Sequence, residues 1–375
     1  YTNRAAHLLS GGRHVAPVAI LYHAEGEWMN RRDTAMLTEV PARALYDEHI
    51  DFDIVCGDTL CESATVEEDR LHVGDEWFDA LVVPYAPLLP AELVVRLNEL
   101  AAQGLPVLYA DALPRGAVGR AIPVSELAAT VRELGGNDIS ADGEFPLLRL
   151  YHVMHPDSHT VMLANESHDR AVDTCLRVPA CMQGDYTVLR LAEGVAYRGT
   201  VEDGCVPIQL LPGQSEILVF GDMSDLPFKE KPQALTPHVL EPTYTVDIAH
   251  ADDLDAWEHL TVTKELFNVT ASDRLPDFSG KMRYTFHLTA TAVGERAVLD
   301  LGRVGQCARV FVNGEDCGIR IAPPYRYAIG AHLREGDNTV VVEVANTLVG
   351  ARRDHFSHFL TLPPSGLLGP VVMEA

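Results

Sequence analysis

The side chains best suited to bond-breaking chemistry are two glutamates, Glu25 and Glu27, in the run His23-Ala-Glu-Gly-Glu-Trp28. Glycosidic bonds are cleaved by two carboxyl groups, one giving a proton while the other attacks or activates water. Their separation is about 5–5.5 Å in retaining enzymes and about 6.5–9.5 Å in inverting ones. Trp28 beside them is the kind of aromatic that stacks on a sugar ring. The plainer reading is a solvated loop with one aromatic plug, because carboxylates are common in a chain with 54 acidic residues.

Three histidines, His152, His155 and His159, suggest a metal at first sight. On strands joined by a proline-containing turn their side chains would diverge, and no cysteine or carboxylate completes a ligand set, so no metal is expected. Arg352, Arg353, His355 and His358 form a polar, aromatic stretch with Asp354 and Phe356. It suits contact with a sugar or docking onto another domain, or it is a plain surface loop. Tyr325 and Arg326, in Pro323-Pro-Tyr325-Arg326-Tyr327, offer an aromatic platform with a bidentate donor, set against a purely structural role. No G-x-S-x-G, P-loop or post-strand G-x-G-x-x-G is found, so neither a serine nucleophile nor a nucleotide cofactor is implied.

The elements that carry these residues fall into three regions. Up to about residue 140, strands and helices alternate. Val15–Tyr22 is a continuous apolar run, as in a strand buried on both faces. Thr34–His49 has helical spacing, Asp51–Cys56 is a second strand, and Phe78–Tyr85 is a third after a hairpin around Glu67–Trp77. Pro90–Gln103 is the clearest helix, with Gly104 ending it. Pro106–Ala110 is a fourth strand and Ser125–Leu134 another helix. Alternation of this kind predicts a doubly wound parallel sheet, and Glu25 and Glu27 then follow its first strand, at the carboxyl end where ligand crevices form.

From about residue 145 the apolar period falls to two. Seven short runs between Leu147 and Phe220, separated by turns such as Asp203-Gly204 and Pro212-Gly213, predict a small β-sandwich. Residues 222–242 hold four prolines without periodicity and are expected to be a linker. The remainder, starting at Leu254–His259, is again all β. Its Asn313-Gly314 pair is a strong hairpin signal, with both residues expected at positive φ.

The 375 residues suit two or three domains at roughly 100–200 residues each. A net charge of −25 argues against duplex nucleic acid and anionic membrane surfaces as partners. No apolar window is long enough for a transmembrane helix. The seven cysteines are odd in number and never form C-x-x-C, so neither a disulfide framework nor a zinc ribbon is expected. The chain starts at Tyr1 with no leader, which reads as a piece of something longer or a processed product, with a reducing cytoplasm preferred.

The third region resembles the galactose-binding-like jelly rolls of large glycoside hydrolases, of the β-galactosidase/β-glucuronidase type and of α-L-rhamnosidase family 106. The resemblance rests on an ordered set: Phe278-Ser-Gly280, Leu299-Asp-Leu301-Gly302, Val310-Phe-Val-Asn313-Gly314, Pro323-Pro-Tyr325-Arg326-Tyr327, Gly336-Asp-Asn338, Asn346-Thr-Leu348 and Pro364-Ser-Gly366-Leu-Leu368-Gly369-Pro370-Val371. The first region, through Phe78-Asp-Ala-Leu-Val-Val-Pro84 and Gly104-Leu-Pro-Val-Leu-Tyr-Ala110, resembles class I glutamine amidotransferase-like domains. Active members keep a cysteine on a sharp turn after the strand; here that slot reads Ala110-Asp111-Ala112-Leu113, so the resemblance implies the fold without the activity.

The resemblance thus implies a multidomain α/β plus all-β chain. Its parts would be an exit helix at 1–14, a flavodoxin-like, doubly wound amidotransferase-like domain at 15–140, and a small β-sandwich at 145–221. The linker at 222–242 and a galactose-binding-like jelly roll at 243–375 complete it. It would be the non-catalytic C-terminal part of a glycoside hydrolase of α-L-rhamnosidase or galactosidase type. Its partners would be the carbohydrate substrate, an upstream catalytic (β/α)₈ domain and further copies in a homo-oligomer, and it would use no cofactor. Two rival readings are a free-standing carbohydrate-binding or assembly protein, and an enzyme acting through Glu25 or Glu27.

Overall fold

The computed structural model describes residues 1–30, 34–135, 139–230, 235–290, 296–352 and 361–375. The chain forms two compact units, Tyr1–Lys231 and Pro232–Ala375, and most of its regular structure is β.

In the first unit the apolar runs of the first 140 residues become a five-stranded parallel sheet. Taking Val18–Tyr22, Phe52–Cys56, Ala80–Val83, Val107–Ala110 and Arg120–Ile122 as strands 1 to 5, the spatial order is 2-1-3-4-5. Successive side chains alternate between faces, and both faces are covered. Val18, Ile20, Ala80, Val82 and Leu108 pack towards Leu45 of helix Glu39–Tyr46 and Val131 of helix Leu127–Glu133. Ala19, Leu21, Leu81, Val83 and Tyr109 pack towards Leu93, Leu97 and Leu100 of helix Ala91–Ala102. Burial on both sides explains why these strands read as unbroken apolar runs. Gly104 follows the helix at φ 106°, the left-handed conformation that lets the chain turn away.

The same unit carries a sandwich. Its six-stranded sheet runs in the order Arg13–His14, Leu148–His155, Ser158–Asn165, Ser215–Phe220, Asp185–Arg190, Val195–Thr200. A three-stranded sheet of Ser140–Ala141, Val172–Arg177 and Cys205–Leu210 covers part of one face. Helix Thr2–Leu9 packs through Ala5 among Leu189, Ala196 and Ile217 of the other face. Arg13–His14 is therefore the sandwich's edge strand as well as the approach to the parallel sheet. Cys175 and Cys205 are joined as a disulfide, one cross-link where the cysteine pattern predicted no framework; Cys56, Cys61, Cys181, Cys307 and Cys317 are free.

The second unit packs antiparallel sheets over one core. Its six-stranded sheet is ordered Glu258–Thr263, Tyr244–His250, Gly280–Ala290, Gly336–Ala345, Cys307–Val312, Glu315–Arg320. A four-stranded sheet of Pro237–Val239, Val372–Glu374, Val298–Asp300 and Arg326–Ala328 faces the same core, in which Leu299, Leu301, Val310, Val312, Val342 and Val344 are all fully buried. Two details differ from expectation. The region's first long strand is Tyr244–His250, ahead of the predicted start at Leu254. Part of the 222–242 segment is also strand, since Pro237–Val239 pairs with Val372–Glu374. The Asn313-Gly314 turn forms as predicted, at φ 54° and 87°, with Val312 opposite Glu315.

Candidate functional site

A strand order of 2-1-3-4-5 places the topological switch point between strands 1 and 3, and open α/β sheets bind ligands just beyond the carboxyl ends there. Strand 1 ends at Tyr22 and continues through His23 into the short helix Ala24–Met29, which carries Glu25, Glu27 and Trp28. The helix is fixed from its far end. Asn30 donates to the Leu88 carbonyl at 2.9 Å and accepts from the Leu88 N–H at 3.2 Å, tying it to the segment after strand 3.

Glu25 and Glu27 are two residues apart on one helical turn, a spacing that does not place side chains face to face. Each is half-buried, and neither makes an ion pair among the described residues. They do not form a converging acid/base pair on this helix. Trp28 is 80% exposed and Met29 50% exposed, an apolar protrusion at the sheet's carboxyl edge.

His23 is the residue at this edge that sequence reasoning passed over. It is fully buried and, among the described residues, neither ring nitrogen has a hydrogen-bond partner, a costly arrangement for a polar side chain. Gly26 lies over the ring so closely that a Cβ there would sit 3.1 Å from His23 Nδ1. The sequence signal for it is a histidine directly after an unbroken apolar strand, in His23-Ala-Glu-Gly-Glu-Trp28.

Strand 4 leads into Asp111, at φ 63°. A non-glycine residue in this left-handed region makes a sharp turn directly after the strand. Asp111 Oδ1 accepts the Val124 N–H at 3.0 Å, and its own N–H donates to the Ile122 carbonyl at 2.7 Å. The side chain is thus engaged in holding the following turn.

A strong electrostatic perturbation lies at the opposite, amino end of the sheet. His14 Nε2 is 2.8 Å from Asp51 Oδ2 and Nδ1 is 3.2 Å from Asp53 Oδ1, with Tyr151 stacked on the ring at 4.4 Å. Burial lowers the His14 pKa, but hydrogen bonds to both aspartates and their charges outweigh it and raise it to about 10. Burial together with the Asp53 charge holds Glu76 above its ordinary range. Perturbed groups often mark active sites; this cluster instead joins the sandwich's edge strand to strand 2, away from the carboxyl edge.

The remaining candidates divide. Tyr325 is 5% exposed in the second unit's core and its hydroxyl donates to the Gln306 carbonyl, so it is no platform for a sugar. Arg326 is held by Glu374. Arg352 is exposed, its backbone N–H donating to the Leu348 carbonyl at 2.9 Å. Arg353, His355 and His358 lie outside the described residues. Of the histidine trio, His152 and His159 meet at 3.0 Å across neighbouring strands, contrary to the predicted divergence, whereas His155 turns to the Leu8 carbonyl. No group of three metal-ligating side chains occurs among the described residues, and no described helix is long and apolar enough to cross a membrane.

No protein-family model matches the chain, and no curated protein does. Solved structures do. An exo-carrageenase of family GH42 from Bacteroides ovatus aligns over 55% of this chain and 29% of its own, at 14% identity and TM-score 0.36. A GH42 β-galactosidase, Gan42B, aligns over 55% and 40%, at 12% identity and TM-score 0.36. The rhamnosidase from Novosphingobium sp. PP1Y aligns over 99% of this chain, at 19% identity and TM-score 0.61. The chain spans 40% of the length of that rhamnosidase and shares the fold of that portion of it.

Proposed function

We propose that this chain is the non-catalytic C-terminal part of a carbohydrate-active glycoside hydrolase that cleaves O-glycosyl bonds, of α-L-rhamnosidase-like type. The observation that carries this reading is the alignment of nearly the whole chain with less than half of a rhamnosidase. Acid/base carboxylates would then belong to an upstream (β/α)₈ domain. In this reading the parallel sheet is an amidotransferase-like domain whose nucleophile position is Asp111, the next layer is the small β-sandwich, and the second unit is a galactose-binding-like jelly roll. These parts buttress the barrel, position sugar or mediate oligomerisation, with Trp28 and Arg352 as the contacts.

Two features support the assignment of no catalysis to this chain. Glu25 and Glu27 diverge on their helix, and Asp111 spends its carboxylate on a backbone N–H. The purified 375-residue chain is therefore expected to release no nitrophenol from aryl α-L-rhamnosides or β-galactosides. Turnover that disappears in Glu25→Gln or Glu27→Gln would show the chain to be an enzyme in its own right.

A further inference from the structure

The disulfide between Cys175 and Cys205 lies on the solvent face of the sandwich's narrower sheet. In the antiparallel pair, Cys175 stands opposite Pro207 and Arg177 opposite Cys205. Opposite residues share a face and faces alternate along a strand, so these four side chains point one way. Leu176, Val206 and Ile208 point the other way and are buried in the sandwich core. Arg177 and Pro207 are exposed and both cysteines are half-buried, so a thiol in solution reaches the sulfurs without entering the core.

The strand that the bond holds is weakly tied otherwise. Cys205–Leu210 is the outer strand of its sheet, and among the described residues its only strand partner is Val172–Arg177. Pro207 has no N–H to offer a further neighbour, as suits an edge. Between the two cysteines, 30 residues apart, the chain crosses to the wider sheet, forms the hairpin Asp185–Arg190 and Val195–Thr200, and returns. The bond therefore closes a loop that runs through both sheets, and closing such a loop restricts how far the outer strand can stray. Without it, one ladder and the packing of Val206, Ile208 and Leu210 hold that strand.

We propose that Cys175–Cys205 is a reversible redox latch: a dithiol opens it in the folded protein, and opening loosens Cys205–Leu210 against the core. One thiolate of the dithiol attacks Cys205 Sγ, the S–S bond breaks, and Cys175 leaves as a thiolate. The second thiolate attacks the reductant's sulfur in the mixed disulfide, which frees Cys205 and closes the reductant's own disulfide. The dithiol supplies two electrons, and its two protons end on Cys175 and Cys205. Glutathione disulfide reverses the change, taking up two electrons and leaving as two molecules of glutathione. The latch is separate from the sheet edge of His23 to Trp28 and does not depend on the chain belonging to a hydrolase.

The test uses the 375-residue chain, oxidised with glutathione disulfide, in buffer without denaturant. Iodoacetamide labelling read by peptide mass spectrometry should find Cys175 and Cys205 protected at first and reactive after dithiothreitol. They should be protected again once glutathione disulfide replaces the dithiothreitol. Amide exchange in Cys205–Leu210 should be roughly tenfold faster in the reduced protein, with Val18–Tyr22 and Gly280–Ala290 unchanged. Cys175→Ser combined with Cys205→Ser should exchange at the reduced rate with or without dithiothreitol; if that variant does not fold, the oxidised and reduced wild type decide alone. The proposal fails if the bond yields to dithiothreitol only in denaturant or does not re-form. It fails equally if Cys205–Leu210 exchanges at the same rate in both states, or if the folded double variant exchanges at the oxidised rate.

Discussion

His14 shows how a single side chain locks two layers together. Facing it are Asp51 and Asp53 from the parallel sheet, Tyr151 from the sandwich, and Glu76, which accepts its backbone N–H. With a folded pKa of about 10 against 6.5 unfolded, the imidazolium's contribution is fully present below pH 6.5 and is lost as pH rises through 10. His14→Ala should therefore cost about 2–3 kcal/mol at pH 7, because two carboxylates lose the cation between them. The gap between wild type and variant, read from denaturant midpoints, should narrow above pH 10; a gap constant from pH 6 to 11 would assign the cost to packing. None of this was legible beforehand, since the partners lie 37 and 39 residues from His14 and only the fold brings them together. Trp28 makes the complementary case. Being 80% exposed, it contributes little to folding, so in the full-length parent Trp28→Ala should leave melting unchanged. If it docks on sugar or barrel as proposed, kcat/KM should fall about tenfold, or about 1.4 kcal/mol; an unchanged kcat/KM would make it an ordinary surface residue.

Among the elements, those specified locally were the ones visible in sequence. Val18–Tyr22 and Ala80–Val83 read as doubly buried strands because helices cover both faces, and Asn313-Gly314 read as a turn because few residues tolerate that backbone. The turn is reinforced by Asn313 Nδ2, which donates to Asn338 Oδ1 at 2.8 Å and to the His332 carbonyl at 2.9 Å. At Gly314 a Cβ would meet nothing within 4 Å, so substitution there is strained by φ alone. Gly314→Val should accordingly destabilise the second unit by about 1–3 kcal/mol, seen as a lower melting temperature for that transition. The first unit, whose cores are its own, should melt as in wild type; a mutant with every transition unmoved would show the turn to be tolerant. Pro237–Val239 escaped notice for the opposite reason. Its partner, Val372–Glu374, lies at the other end of the unit, and a proline-rich run gives no sign of a strand completed from so far away.

Over the whole molecule, the alternation of periods separated the α/β layer from the β layers, and the ordered glycines and aromatics after Phe278 carried the likeness to glycoside hydrolases. What pattern could not supply was a catalytic constellation: Glu25 and Glu27 sit at the edge where ligands bind in such sheets, yet helical geometry turns them apart. In the proposed reading, this chain serves a hydrolytic site carried elsewhere in a longer protein. That reading is tested most directly by expressing the complete open reading frame beside the 375-residue chain and assaying both on an aryl α-L-rhamnoside. The complete protein should turn the substrate over, the chain alone should not, and introducing Glu25→Gln and Glu27→Gln together into the complete protein should cause no loss. Hydrolysis by the isolated chain, or a complete protein inactive on every aryl glycoside offered, would contradict it.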